Sequence, residues 1–195
     1  MNNELLFTEQ RPRRADAVKN RALLLETAHR LFTEKGVDAV SMSDIAEAAN
    51  VGKGTLYRAF PNGKVELCHA LLDKDQRDLQ DRALLYFRNQ SDALHSLRWF
   101  LAEVVEFVER NSALLCVGAV DAGLKSLEHP AHLWWRQTIR ALLQRLNPQI
   151  DIDYAADVLY VMLDVHVTYF QRTALGYDTP RIIDGLTNTL HQLIK

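Results

Sequence analysis

Three features of the 195-residue sequence predict an all-α fold. All five prolines (Pro12, Pro61, Pro130, Pro148 and Pro180) fall where helix-period apolar patterns start or stop. No segment alternates apolar and polar residues for long enough to argue a strand. Apolar residues make up 48% of the chain and charged residues 25%, an ordinary globular balance with enough apolar surface to build a core.

Taken in order, residues 1–15 read as a flexible basic arm ending in Arg11-Pro12-Arg13-Arg14, because no apolar period runs through them. A first helix is expected from about Asp16 to Lys35, with Leu24, Ala28, Leu31 and Phe32 at helical spacing and Gly36 as its stop. Ser41 reads as the N-cap of a short helix ending near Asn50, and a second short helix runs from about Lys53 to Phe60. Pro61-Asn62-Gly63 is a turn, and a long helix follows to about Phe87. Further helices are expected near 92–110, 112–127, 130–146, 152–175 and 180–194. Four of the eight glycines lie between residues 36 and 63, a density that marks tight turns between short helices. The resulting division is an arm over 1–15, a small helical domain over 16–65 and a larger one over 66–195.

The net charge of −2 hides an asymmetry. Residues 11–64 hold ten basic side chains against six acidic ones, whereas residues 65–195 hold thirteen against seventeen. A basic front end on an acidic body suggests that the front end meets a polyanion. Cys68 and Cys116 lie far apart with no C-x-x-C spacing, which suggests neither a disulfide framework nor a metal site and fits reduced thiols in a cytoplasmic protein. The longest apolar run, Ala113–Val120, is far short of the ~20 residues of a membrane span, so no membrane partner is expected.

The chemistry concentrates between residues 41 and 64. Two short helices joined by Ala49-Asn50-Val51-Gly52, the first turning Ile45, Ala46 and Ala49 inward and the second Leu56 and Phe60, make a helix-turn-helix. The small alanines allow the two helices to cross closely. Facing outward are Lys53, Thr55, Tyr57 and Arg58, cations and hydroxyls suited to phosphate oxygens and base edges in a major groove. Gly54 would let the backbone approach that groove with no side chain between.

The strings ALLLETAHRLFTEKG at 22–36 and SMSDIAEAANVGKGTLYRAFPNGKVEL at 41–67 closely resemble the DNA-binding region of the TetR family of transcriptional regulators. The resemblance covers about residues 13–67; beyond residue 70 only the general plan of an all-helical ligand-binding and dimerisation domain is similar. It implies phosphate contacts from Ser41 and Ser43 at the start of the second helix. It further implies Lys53, Gly54 and Thr55 facing bases, Tyr57 and Arg58 facing the backbone, and Lys64 on a phosphate. The chain departs from the family pattern at Gly52, where a capping Ser is frequent, at Ala59, where an aromatic or His is frequent, and in the longer Pro61-Asn62-Gly63 turn.

In the body, the 152–175 segment is apolar nearly all round, and residues 180–194 carry Ile182, Ile183, Leu186, Leu190, Leu193 and Ile194 on one broad stripe. A partner chain is the natural cover for part of this surface, and a homodimer through about 152–194 is expected, as the resemblance also implies. Aromatic residues gather in the same body. Trp99, Phe107, Trp134, Tyr169 and Phe170, with Glu103 and His166 as polar anchors, form the expected wall of a pocket for a largely apolar small-molecule effector. His129 with His132, and Asp164 with His166, raise the thought of a metal site, but residues two apart point to different sides of a helix. With no general-base cluster, phosphate-cradling loop or nucleophile elbow, no catalysis, metal or cofactor is expected. The reading is a ligand-responsive, homodimeric regulator that binds double-stranded DNA at an inverted-repeat operator, most simply as a repressor. The alternative is a soluble helical binding protein whose helix-turn-helix meets proteins, and salt-dependent DNA binding separates the two.

Overall fold

The computed structural model describes residues 10–122, 130–146 and 149–194. Among them the regular structure is entirely helical: α1 (Gln10–Lys35), α2 (Met42–Ala48), α3 (Lys53–Ala59), α4 (Gly63–Asn89), α5 (Ala93–Ala122), α6 (Pro130–Leu146), α7 (Ile152–Val161), α8 (Val165–Thr173) and α9 (Thr179–Leu193). The chain divides into two compact units, residues 1–71 and 72–195, and the division falls inside α4.

In the first unit α1 packs on both α2 and α3, which pack on each other. Leu24, Ala28, Ile45, Leu56, Phe60 and Leu67 close its core at full burial. Gly36 ends α1 at φ +83°, its N–H on Phe32 O at 2.9 Å, a left-handed cap that a side chain would strain. Asn50 takes the same left-handed region at φ +52° in the turn between α2 and α3, where Asn is among the few side chains tolerated. The expected arm over 1–15 is corrected in part: α1 already includes residues 10–15, while residues 1–9 lie outside the described ones. Pro12 does not prevent this, because in the first turn of a helix the missing N–H has no partner to lose.

In the second unit α5 packs against α6, α8 and α9, and α6 lies along α7. Phe100, Leu101, Val104, Ile139, Leu143 and Leu159 form the centre of its core. Two expectations are overturned here. The helices placed at 92–110 and 112–127 are one helix as far as Ala122, with residues 123–127 outside the described ones. Asn111 does not break it, because its Nδ2 donates to Phe107 O one turn back at 3.0 Å and to Asp75 Oδ2 at 3.1 Å. Conversely, the single helix placed at 152–175 is two. Asp164 caps the start of α8 with its carboxylate accepting from His166 N–H at 2.8 Å, and that bond replaces continued helix.

Candidate functional site

Ser41 and Asp44 build the entry to α2. Ser41 Oγ accepts from Asp44 N–H at 3.1 Å, while Asp44 Oδ2 accepts from Ser41 N–H and Ser41 Oγ, both at 2.8 Å. This reciprocal box satisfies the orphan donors of a helix only seven residues long. The bonds from the Ser41 backbone and then its side chain hold the Asp44 carboxyl below its ordinary value. Ser41 is therefore a structural cap as well as an expected phosphate contact, whereas Ser43, one turn position on, simply faces solvent.

On α3 the buried face is Leu56, with Phe60 just beyond its end, both at 0% exposure. Opposite them Lys53, Gly54, Tyr57 and Arg58 are exposed and Thr55 is half-buried. Gly52 caps the helix without a side-chain bond. Arg58 folds along its own helix, Nε donating to Gly54 O at 3.0 Å and Nη2 to Thr55 Oγ1 at 3.3 Å. A Cβ built at Gly54 meets nothing within 4 Å, so packing inside the chain does not require glycine there. Lys64 opens α4 with its Nζ 5.8 Å above the Phe32 ring, and Arg21 lies 4.8 Å above Phe60. Asn62 N–H donates to Glu66 Oε2 at 2.9 Å, which fixes the turn carrying Pro61 and Gly63. Cys68, farther along α4, is buried, and its thiol is pushed up to about 11 by desolvation, against the pull of Lys64.

Four of the effector residues expected from the sequence have partners within the second unit. Trp99 stacks on Tyr86 at 4.0 Å, Glu103 pairs with Arg82 at 2.7 Å, Phe107 is buried against Trp135 at 5.5 Å, and Trp134 meets the edge of Phe100 at 5.4 Å. His166, Tyr169 and Phe170 instead lie on the outer face of α8, the last two 56% and 55% exposed. His166 is thus not an interior anchor, and it is not remote from Asp164: the capping carboxylate sits 3.0 Å from its Nδ1 because Asp164 lies outside the helix. Leu186 and Leu190, read from their stripe as interface, are core residues of their own chain at 5% and 0% exposure. Sequence reasoning passed over a small apolar cavity of ≈ 10 Å³ lined by Val108, Leu115, His132, Trp135, Tyr160, Leu163, Asp164 and Val165. The signal for it was His132, Trp135, Ile139 and Leu142 on one helical stripe of α6. Tyr160 beside it has its hydroxyl pushed up to about 12, chiefly by burial. Among the described residues no group of three His, Cys, Asp or Glu could hold a metal ion, and His129 lies outside them. No described helix is long and apolar enough to cross a membrane.

A short helix held across another by a capped turn, with a cationic and hydroxyl face outward and a separate helical unit behind it in the chain, defines a helix-turn-helix regulator. The family model described as bacterial regulatory proteins, tetR family, matches residues 24–71. An HTH-type transcriptional regulator of Staphylococcus aureus strain USA300 is 40% identical over 117 residues, which is 57% of this chain and only 60% of that relative's length. An HTH-type transcriptional regulator of Staphylococcus aureus strain MRSA252 is 32% identical over 164 residues, 81% of this chain and 85% of the relative. Among solved structures, a TetR-family transcriptional regulator from Pectobacterium atrosepticum superposes with a TM-score of 0.67 at 20% identity, covering 93% of this chain and 95% of that one. FadR from Bacillus subtilis, solved with stearoyl-CoA, superposes with a TM-score of 0.64 at 16% identity, covering 89% and 97%. The chain belongs to the TetR family of bacterial regulatory proteins, a family of regulators rather than enzymes.

Proposed function

We propose that this chain is a cytoplasmic, homodimeric repressor that binds an inverted-repeat DNA operator and is released from it by a small, largely apolar molecule. The observation that carries the reading is the exposed face of α3, where Lys53, Gly54, Tyr57 and Arg58 stand outward over the buried Leu56 and Phe60. Ser41, Ser43 and Lys64 flank it as phosphate contacts, and Thr55 joins the base-reading set. Two copies related by a twofold axis read half-sites one helical turn, ~34–36 Å, or a multiple of it apart. In a gel-shift titration the wild type binds a selected palindrome far more tightly than random DNA, and the affinity falls steeply with salt as counterions are released. Equal affinity for both DNAs refutes sequence-specific binding; salt-independent binding refutes a phosphate-reading surface.

Dimerisation is supported by the outer face of α8, where Tyr169 and Phe170 leave two large rings more than half exposed. Association through the segment 152–194 covers them. Effector binding belongs to the second unit, where the aromatic residues Trp99, Phe107 and Trp134 and the Arg82–Glu103 pair offer apolar walls with a polar edge. The Bacillus subtilis FadR structure shows the same fold carrying a ligand with a long apolar tail, stearoyl-CoA. An effector that costs tenfold in operator affinity needs ~1.4 kcal/mol of preference for the DNA-free form, and operator then weakens effector binding by the same factor.

A further inference from the structure

Leu56 and Phe60, both fully buried, fix the inward direction of α3. At about 100° of turn per residue, Arg58 stands about 160° round the helix from each of them, at the centre of the outward face. Gly54 and Thr55 flank it at about 40° and 60°, while Tyr57 lies about 100° away toward the buried side. A helix in a major groove turns the centre of its outward face to the base edges and its sides to the phosphate walls.

Arg58 belongs to the last turn of α3, whereas a recognition helix meets base edges with its N-terminal residues. The side chain removes this mismatch. Its Nε donates to Gly54 O at 3.0 Å and its Nη2 to Thr55 Oγ1 at 3.3 Å, which carries the guanidinium back by about one turn, ~5 Å, toward the start of the helix. Both bonds use the Nε–Nη2 edge. A guanidinium has five N–H donors in a planar fork, so the parallel pair of one Nη1–H and one Nη2–H is left free. Among the described residues no carboxylate pairs with Arg58, so its charge is uncompensated. A side chain already held in place loses less freedom on binding than a loose one.

We propose that Arg58 reads a guanine: its free Nη1–H and Nη2–H donate to O6 and N7 of one guanine in each half-site, while Gly54 O and Thr55 Oγ1 hold the guanidinium in position. The inference rests on the reading of α3 as the DNA-reading helix and deepens it. Arg58 moves from the backbone role that the family resemblance implies to a role that determines sequence. Of the four bases only guanine sets two acceptors side by side on its major-groove edge, and two parallel donors match that pair. Adenine sets its N6 amino group beside N7, so one guanidinium hydrogen would face another donor.

The test uses the full chain and the double-stranded DNA that the wild type selects from a random pool. Each guanine of a half-site is replaced in turn, in both half-sites, by adenine with thymine opposite, or by 7-deazaguanine, which lacks the N7 acceptor and leaves every phosphate in place. Fluorescence anisotropy at low salt, where phosphate contacts still hold weakened complexes, gives the affinities of wild type and Arg58→Ala, and circular dichroism reports the fold. At one guanine the wild type loses about tenfold or more on replacement by adenine and about threefold or more on replacement by 7-deazaguanine. Arg58→Ala binds these three duplexes within twofold of one another. A guanine preference that survives in Arg58→Ala overturns the inference, and an equal loss on every DNA makes Arg58 a backbone contact; either result leaves DNA reading by α3 standing. Selected sites with no guanine whose N7 matters to the wild type overturn it in the same way. A wild type that binds selected DNA no better than random DNA overturns the reading of α3 and the inference with it.

Discussion

Gly54→Ala tests the proposed DNA-reading face with two effects of opposite sign. Gly54 is the second residue of α3, and a Cβ there meets nothing within 4 Å. Its backbone is not left-handed, since the positive-φ glycines among the described residues are Gly36, Gly63 and Gly176. Alanine in a helix interior is favoured over glycine by about 1 kcal/mol, and a first-turn position realises roughly half to all of that. The isolated protein therefore gains about 0.5–1 kcal/mol, a rise in melting temperature of about 1–4 °C for a chain of this size. On DNA the added methyl occupies the space through which the helix backbone would approach the base edges. Lifting the helix by even part of a carbon diameter lengthens every hydrogen bond made by Lys53 and Thr55, and a loss of at least tenfold in operator affinity, ~1.4 kcal/mol, is expected. Thermal unfolding followed by circular dichroism reads the first effect, and fluorescence anisotropy titration of a labelled operator reads the second. A raised melting temperature with affinity within twofold of the wild type refutes the approach of Gly54 to DNA. A lowered melting temperature refutes the helical account of the residue itself.

Phe170→Glu places a charge on an exposed ring of α8 and should leave a folded monomer by sedimentation equilibrium, whereas Leu186→Glu buries a charge in the core and should unfold the second unit in thermal melts. Ser41→Ala removes the cap of α2 and should cost about 1 kcal/mol of stability along with DNA affinity, while Ser43→Ala should lower affinity alone in the same anisotropy titration. Asp44 has a carboxyl held below its ordinary 3.8 in the folded chain, so its contribution is complete above that pH and is lost as pH falls toward the folded value. Acid titrations of wild type and Asp44→Asn should accordingly converge at low pH, and curves that stay parallel would deny the capping box that role.

The helix-turn-helix was legible because its determinants lie within a few residues of one another. Ser41 and Asp44 bond three positions apart, Gly36 closes α1 onto Phe32, and Leu56 with Phe60 marks the inner face of α3. Each of these is fixed by local geometry, so spacing and residue type suffice to read it. The effector residues were less legible because spacing along a helix states which side chains share a face but not what the face meets. Trp99 and Phe107 meet Tyr86 and Trp135, from α4 and α6.

The two misplaced helix ends share one cause. Asn111 and Asp164 are each a polar residue of a type that favours helix ends, set in a segment of helical spacing, and a pattern of spacings treats them alike. Asn111 finds Asp75, 36 residues away, and with the carbonyl one turn back it is satisfied inside a continuous helix. Asp164 finds the N–H and ring of His166, two residues on, and the helix ends where that bond begins. Whether a polar side chain interrupts a helix thus turns on the first partner its tertiary surroundings offer. The stripes of α8 and α9 pose the same question for apolar groups. Leu186 and Leu190 are covered by their own chain, while Tyr169 and Phe170, equally apolar in sequence, are not. Periodicity registers that a face seeks cover; only the packing of α5 against α8 and α9 decides which residues are left exposed.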